Sequence, residues 1–479
     1  MKINFTKLKW KNFLAANLML LVIGLAGCSD DDPVLSGEND LSGFTLLDVD
    51  REFTIDETTG AITNEVALPY GYDVSSLVAT FSFAEKAMVT VGDVAQVSGE
   101  TANDFTSAVT YTVTAEDETT ANYVVTVNVS TSAWTMVTED AFISLTRPSA
   151  FTHDDKLWMV GAVEVNVITD FGMEDPGQYF EYVYSSSDGM TWDVAHVNTT
   201  GANDSVPLGT SAGTIAYNGS LVNVGGLSGA FFGGFGLDRS QLGISTSTDD
   251  GANWTTTDVT EEGVPSVLNA KLLENDGDLF IVGAQPLSFG QAQSINSMDI
   301  YKSTNGTSWE AIGTDVLAGL TVADAPPPTY YATTLFNSDM YIAGGIAGAA
   351  FVSGNLASYA KSAYKSADGG VTWTVATAEG FPQLIGTQLV TYKGKMYAIG
   401  GVTALADGGT EDEVAYKSDI YVSEDGSTWT LIEGGLALPA EFEGRAFHNA
   451  VVMGDKIYII AGENAQGDIN DVWVGEFVN

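Results

Sequence analysis

Apolar residues recur along this chain in short runs that close on small residues. Six such runs stand out: LWMVGA at 157–162, LVNVGG at 221–226, LFIVGA at 279–284, MYIAGG at 340–345, MYAIGG at 396–401 and IYIIAG at 457–462. No long stretch carries apolar residues at helical spacing, so the runs read as strands. Upstream the pattern is an alternation. Val109, Tyr111, Val113 and Ala115 share one face, the polar stretch 116–120 turns the chain, and Tyr123, Val125, Val127 and Val129 share one face of the return. A hairpin with one apolar face needs a partner sheet, which predicts a small antiparallel β-sandwich over 41–131.

A second signal lies between the apolar runs. Ser366, Asp368, Gly370, Thr372 and Trp373 form a turn-and-anchor unit, with variants at 186–192, 247–254, 303–309 and 423–429. Gly supplies φ > 0 and Asp or Asn closes the turn through its own side chain. The Trp that follows is expected to bury its ring between neighbouring sheets. These tryptophans, with Trp134, recur every 55–64 residues. Four short strands per unit at that period predict propeller blades. After the sixth run only 471–477 remains, with no turn and no fourth strand, so 134–137 is expected to supply the missing outer strand. The fold class is therefore all-β: a small antiparallel β-sandwich followed by a six-bladed β-propeller (132–479) closed by an N-terminal strand.

The last repeat, with Gly444, Arg445, His448 and Val452 followed by KIYIIAG at 456–462, resembles kelch repeats. The Asp-Gly turns are similar to the Asp-box (BNR) turns of sialidase-type propellers. Repeats longer than usual kelch, and turns often one residue short, depart from both families, so the resemblance implies propeller geometry and no particular enzyme. The stretches 53–62 and 68–77 resemble an immunoglobulin-like module of Bacteroides-type surface lipoproteins, where it implies a spacer or contact role without catalytic residues.

The N-terminus changes the picture of where the molecule works. Lys2, Lys7, Lys9 and Lys11 precede an apolar run at 13–25, and LAGC at 25–28 resembles the bacterial lipobox. The resemblance implies a signal peptide over 1–27 and a lipid on Cys28, with an acidic tether over 28–40. Ser29, Asp30, Asp31 and Asp32 are similar to the export signal of surface lipoproteins; a plain solvated tether is the other reading. The expected location is the outer membrane, surface-exposed, with membrane attachment through the lipid anchor alone.

Cys28 is the one cysteine, so a mature chain has no disulfide, no thiolate nucleophile and no cysteine-dependent copper centre. The 62 Asp and Glu against 18 Lys and Arg, net −44, disfavour nucleic acid as a partner.

Candidate chemistry falls on the long segments that follow the apolar runs: 164–182, 227–242, 285–298, 346–359 and 402–414. A rigid ring displays such loops for binding. Their aromatics, among them Tyr179, Phe232 and Phe235, suit a sugar ring or an apolar patch on a partner; packing of the loops onto the ring is the other reading.

Arg147, Arg239 and Arg445 are expected on one face of three contiguous blades. Sialidase-like propellers hold a substrate carboxylate with three arginines, and a structural role at the start of a blade is the alternative. His153, His196 and His448 lack ligand spacing and read as satisfied or exposed side chains. Asp249 with Asp250, and 275–278, read as turns rather than calcium loops. No metal site and no cofactor is expected.

The leading functional reading is a lipid-anchored surface protein whose loop face contacts a glycan or an envelope protein. The rivals are a glycoside hydrolase or lyase acting on acidic sugars, and a structural envelope protein without a ligand. The absence of a complete catalytic set favours binding over catalysis.

Overall fold

The computed structural model describes residues 34–145, 147–168, 174–200, 212–225, 227–228, 240–241, 243–257, 270–284, 298–320, 328–347, 362–377, 381–404 and 414–478. It is all-β. Among the described residues the helical content is a single 3-10 turn, Gly434–Leu436, and no helix is long and apolar enough to cross a membrane. The chain divides into two compact units. One comprises the described residues up to Asn64 with Ser75–Thr126, and the other Glu65–Val74 with everything from Val127 onward.

The first unit is a sandwich. One sheet has the order Leu41–Leu46, Leu77–Phe83, Ala102–Asn103; the other runs Thr54–Asp56, Ala61–Thr63, Thr120–Thr126, Val109–Thr114, Met88–Val91, Val94–Ala95. The expected hairpin is present, with Val109 opposite Val125 and Tyr111 opposite Tyr123. Tyr111, Val113 and Val125 are completely buried, and Tyr111 meets Phe44 and Phe81 edge-on across the core. One pairing differs from the antiparallel expectation: Ala61–Thr63 runs parallel to Thr120–Thr126. No tight turn joins these two strands, and a long connection leaves the parallel arrangement open to them.

The second unit carries six four-stranded antiparallel sheets among the described residues. Their innermost strands are Ser149–His153, Gly213–Tyr217, Lys271–Asn275, Ala332–Phe336, Gln388–Tyr392 and Asn449–Met453. Each spans five residues and returns through a two-residue turn into one of the apolar runs. In the second and third hairpins both turn residues have positive φ, Asn218 with Gly219 and Asp276 with Gly277, the twist that matches the strands they join. Successive inner strands touch, and Asn449–Met453 returns to Ser149–His153. The sheets therefore form a closed ring, a β-propeller.

Burial on both faces explains why the runs are continuously apolar rather than alternating. Leu279 and Ile281 pack toward the second sheet with Tyr217 and Val222. Phe280 and Val282, the intervening residues, pack toward the fourth with Ile342 and Tyr364.

The tryptophans wedge the ring together as expected. Trp309 lies in the interface with the second sheet, Trp373 in that with the third, and Trp134 in that between the sixth and fifth. The Ser-x-Asp turns fix these rings in place. Ser366 Oγ accepts from Gly370 N at 2.8 Å and donates to Asp368 Oδ1 at 2.9 Å. Trp373 Nε1 donates to Gly370 O at 2.9 Å.

The sixth sheet is shared between distant parts of the chain. Trp134–Thr138 pairs antiparallel with Gly467–Gly475, placing Trp134 opposite Gly475 and Met136 opposite Trp473. The strand expected to seal the ring does so. Glu65–Val74 also belongs to this unit: Leu68 bridges to Val129 and Tyr70 to Phe477, and Val478 N donates to Tyr70 O at 3.1 Å. The sequence boundaries place 68–77 wholly in the sandwich. The structure instead groups this stretch, as far as Val74, with the propeller.

Candidate functional site

A cavity of about 270 Å³ opens along the axis of the ring, and all six inner strands contribute to its wall. A smaller space of about 30 Å³ adjoins it beside Tyr330, Tyr331 and Gly386, and Lys271, Gln388 and Phe447 border both. The inner strands align, so their first residues form one layer: Ser149, Gly213, Lys271, Ala332, Gln388 and Asn449.

Two residues of this layer stitch neighbouring sheets. Asn449 Oδ1 accepts from Ala150 N at 2.9 Å and its Nδ2 donates to Pro148 O at 3.0 Å. Ser149 Oγ accepts from Thr214 N at 2.9 Å.

Lys271 and Gln388 occupy the same register and make no such stitch. The Lys271 ammonium has neither a carboxylate nor another acceptor, and the Gln388 amide has no hydrogen-bond partner, among the described residues. Burial, and after it the charge of Arg147, pulls the Lys271 ammonium down to about 8, which leaves it largely protonated at neutral pH.

His448, immediately before the sixth inner strand, lines the same cavity. It is 1% exposed, and neither ring nitrogen has a hydrogen-bond partner. Burial first, then the charges of Arg445 and Lys271, holds its imidazole down to about 3. The ring fits because Gly400 and Gly462 stand beside it: a Cβ on either would lie 2.9 Å from His448.

Around the cavity the backbone is held in an unusual conformation. Arg147, Tyr330 and Phe447, each two residues ahead of an inner strand, all have positive φ, a conformation that costs a non-glycine residue about 1–3 kcal/mol. Their side chains cluster. The Arg147 guanidinium lies 3.8 Å from the Phe447 ring centre and 5.2 Å from that of Tyr330. It is forked on Glu463, with Nε and Nη2 donating at 3.1 Å.

The sequence-predicted residues thus have different fates. Arg445 is wholly buried, with its guanidinium forked on Asp471 and over the Phe442 ring at 4.3 Å. It does not line the cavity, and it ties the start of the sixth sheet's first hairpin to Asp471 on the sheet's third strand. Arg147 reaches the cavity wall but already has Glu463. Arg239, Phe232, Phe235 and Cys28 lie outside the described residues, as does the side chain of Tyr179. Of the three arginines of the acidic-sugar hydrolase reading, the two that are described are each engaged by a carboxylate of the protein itself.

His448, read from sequence as satisfied or exposed, is buried and unsatisfied. The 275–278 stretch is a hairpin turn, as expected, and Lys302 binds Asp278 at 2.5 Å.

Sequence reasoning passed over Lys271 and Gln388 and gave His448 no role. The usable signal was their place in the aligned hairpins, where Lys271 is the one cation in the first layer.

Comparison with known proteins adds to this picture. Residues 41–127 match the family model described as SGBP, N-terminal, the N-terminal module of surface glycan-binding proteins. Residues 375–478 match the DUF6242 beta propeller domain, a span that includes Gln388, Arg445 and His448. No curated protein matches the chain. Among solved structures, that of YjhT aligns at 11% identity over 70% of this chain and 96% of its own, with a TM-score of 0.48.

Proposed function

We propose that this protein is a lipid-anchored, surface-exposed glycan-binding protein of the outer membrane, in which the propeller contacts the glycan. The observation that carries the reading is the match of residues 41–127 to the N-terminal module of surface glycan-binding proteins. Two features agree with it. The LAGC stretch at 25–28 supplies a lipidation site at Cys28, and the ring holds an axial cavity with polar groups left unengaged. Membrane attachment runs through the lipid, and net charge of −44 keeps nucleic acid away.

The test is affinity electrophoresis and a glycan array, using the chain from residue 29 to 479 as probe. Retardation by at least one soluble polysaccharide, with a matching array signal, is expected. Free migration in every gel together with a blank array overturns the reading.

A further inference from the structure

The cavity holds an electrostatic imbalance. Acidic residues outnumber basic ones 62 to 18, and the two described arginines near the cavity each have a carboxylate, Glu463 for Arg147 and Asp471 for Arg445. Lys271 has none among the described residues. Its neighbours in the wall are His448, neutral and with both nitrogens free, and Gln388, whose amide is unengaged. A partly buried ammonium with no counter-charge is costly, and no carboxylate among the described residues is paired with it. Ser149 and Asn449 show what the same register does when its task is structural: it hydrogen-bonds across the seam. Lys271 and Gln388 instead leave two polar groups at the wall of a space large enough for a ligand about the size of one sugar ring, while the His448 nitrogens behind them are shielded.

We propose that the axial cavity binds a carboxylate-bearing sugar, with Lys271 as its counter-ion and Gln388 as a hydrogen-bonding partner. The proposal deepens the glycan reading by naming the charge of the sugar; the same chemistry arises from a free hexuronate or from the acidic end of a glycan. Lys271 supplies the charge-assisted hydrogen bond to the carboxylate. His448, unprotonated and shielded, adds no competing charge to the wall beside Lys271. Gln388 offers an amide donor and acceptor from the fifth sheet.

The experiment titrates the chain from residue 29 to 479 calorimetrically with glucuronate and galacturonate, with glucose and galactose as neutral controls. A uronate-terminated oligosaccharide forms a second arm. Binding of at least one hexuronate and not its neutral counterpart is expected. Lys271→Met should weaken that binding by about tenfold or more with an unchanged melting temperature, and Gln388→Leu should weaken it less.

Binding of the free hexuronate alone identifies a small-molecule site, whereas tighter binding of the oligosaccharide identifies a glycan end. No hexuronate binding, equal binding of the neutral sugars, or full affinity in a folded Lys271→Met variant overturns the proposal. If the array still lights up with neutral glycans, and equally for Lys271→Met, the glycan reading survives and this one falls. If hexuronate binds while the array stays blank and the gels show no retardation, the cavity proposal stands and the glycan reading falls.

Discussion

Arg445 and Asp471 face each other fork to fork inside the sixth sheet, and the arginine is wholly shielded from water. Asp471 also accepts from Trp473 Nε1 at 2.9 Å, so one carboxylate serves both a buried cation and the indole beside it. Asp471→Asn keeps the shape and strands the charge. A loss of about 3–5 kcal/mol is expected, read as a lowered urea midpoint. Replacing both partners, Arg445→Met with Asp471→Leu, should cost less than the single change. A double variant weaker than Asp471→Asn would show that the pair contributes more than mutual neutralisation.

His448 ties stability to pH. Its folded imidazole titrates near 3 because of burial and the nearby Arg445 and Lys271, whereas an unfolded histidine titrates near 6.5. The unfolded chain therefore takes up the proton first. The contribution of the neutral ring is complete above about 6.5 and falls as pH drops toward 3, by about 1.4 kcal/mol per pH unit. Urea midpoints between pH 6.5 and 5 check this, a window above the range where carboxylates such as Asp188 and Asp249, also depressed in the folded state, begin to protonate. His448→Gln should flatten the slope there. An unchanged slope refutes the assignment.

Closure of the ring rests on Trp134, which is 3% exposed and donates from Nε1 to Leu436 O at 2.9 Å. Trp134→Ala should cost about 3–5 kcal/mol. Limited proteolysis should then cut first near Trp134–Thr138 or Gly467–Gly475, since loss of either strand frees the edge of the other. First cuts within an inner strand would contradict this.

The lipid anchor is tested apart from the fold. Cys28→Ala should abolish labelling with radioactive palmitate and move the protein from the membrane to the soluble fraction. Retained labelling would place the lipid elsewhere.

Much of the architecture was legible in the chain. The apolar runs ending at 161–162, 283–284 and 400–401 mark the second strands, although Lys156–Ile168 and Lys395–Ala404 run on past their small residues, and the spacing of Trp134 to Trp429 marks the period. Counting strands showed that 471–477 lacked a partner, which led to Trp134. The parallel pairing of Ala61–Thr63 was hidden, because two short strands far apart in sequence carry no turn to set their direction. The docking of Tyr70 beside Phe477 was hidden for a similar reason: a stretch embedded in one alternating pattern gives no sign that it packs with another.

The site was least visible. Arg445 looks like a ligand arginine until Asp471, 26 residues on, is seen across from it. Lys271 looks like a surface lysine until six hairpins are superposed and its position proves to face the axis. Residue type alone does not reveal which strand of a sheet lies innermost.

The pairing of Trp134–Thr138 with Gly467–Gly475 also sets an order of events. The ribosome makes one of these partners at the outset of the propeller and the other at its finish. Throughout synthesis the circle therefore has a gap, and the early strand waits without its mate. Assembly becomes all-or-none at the C-terminus: a chain stopped a dozen residues short would hold nearly every contact of the native molecule and still be an open arc.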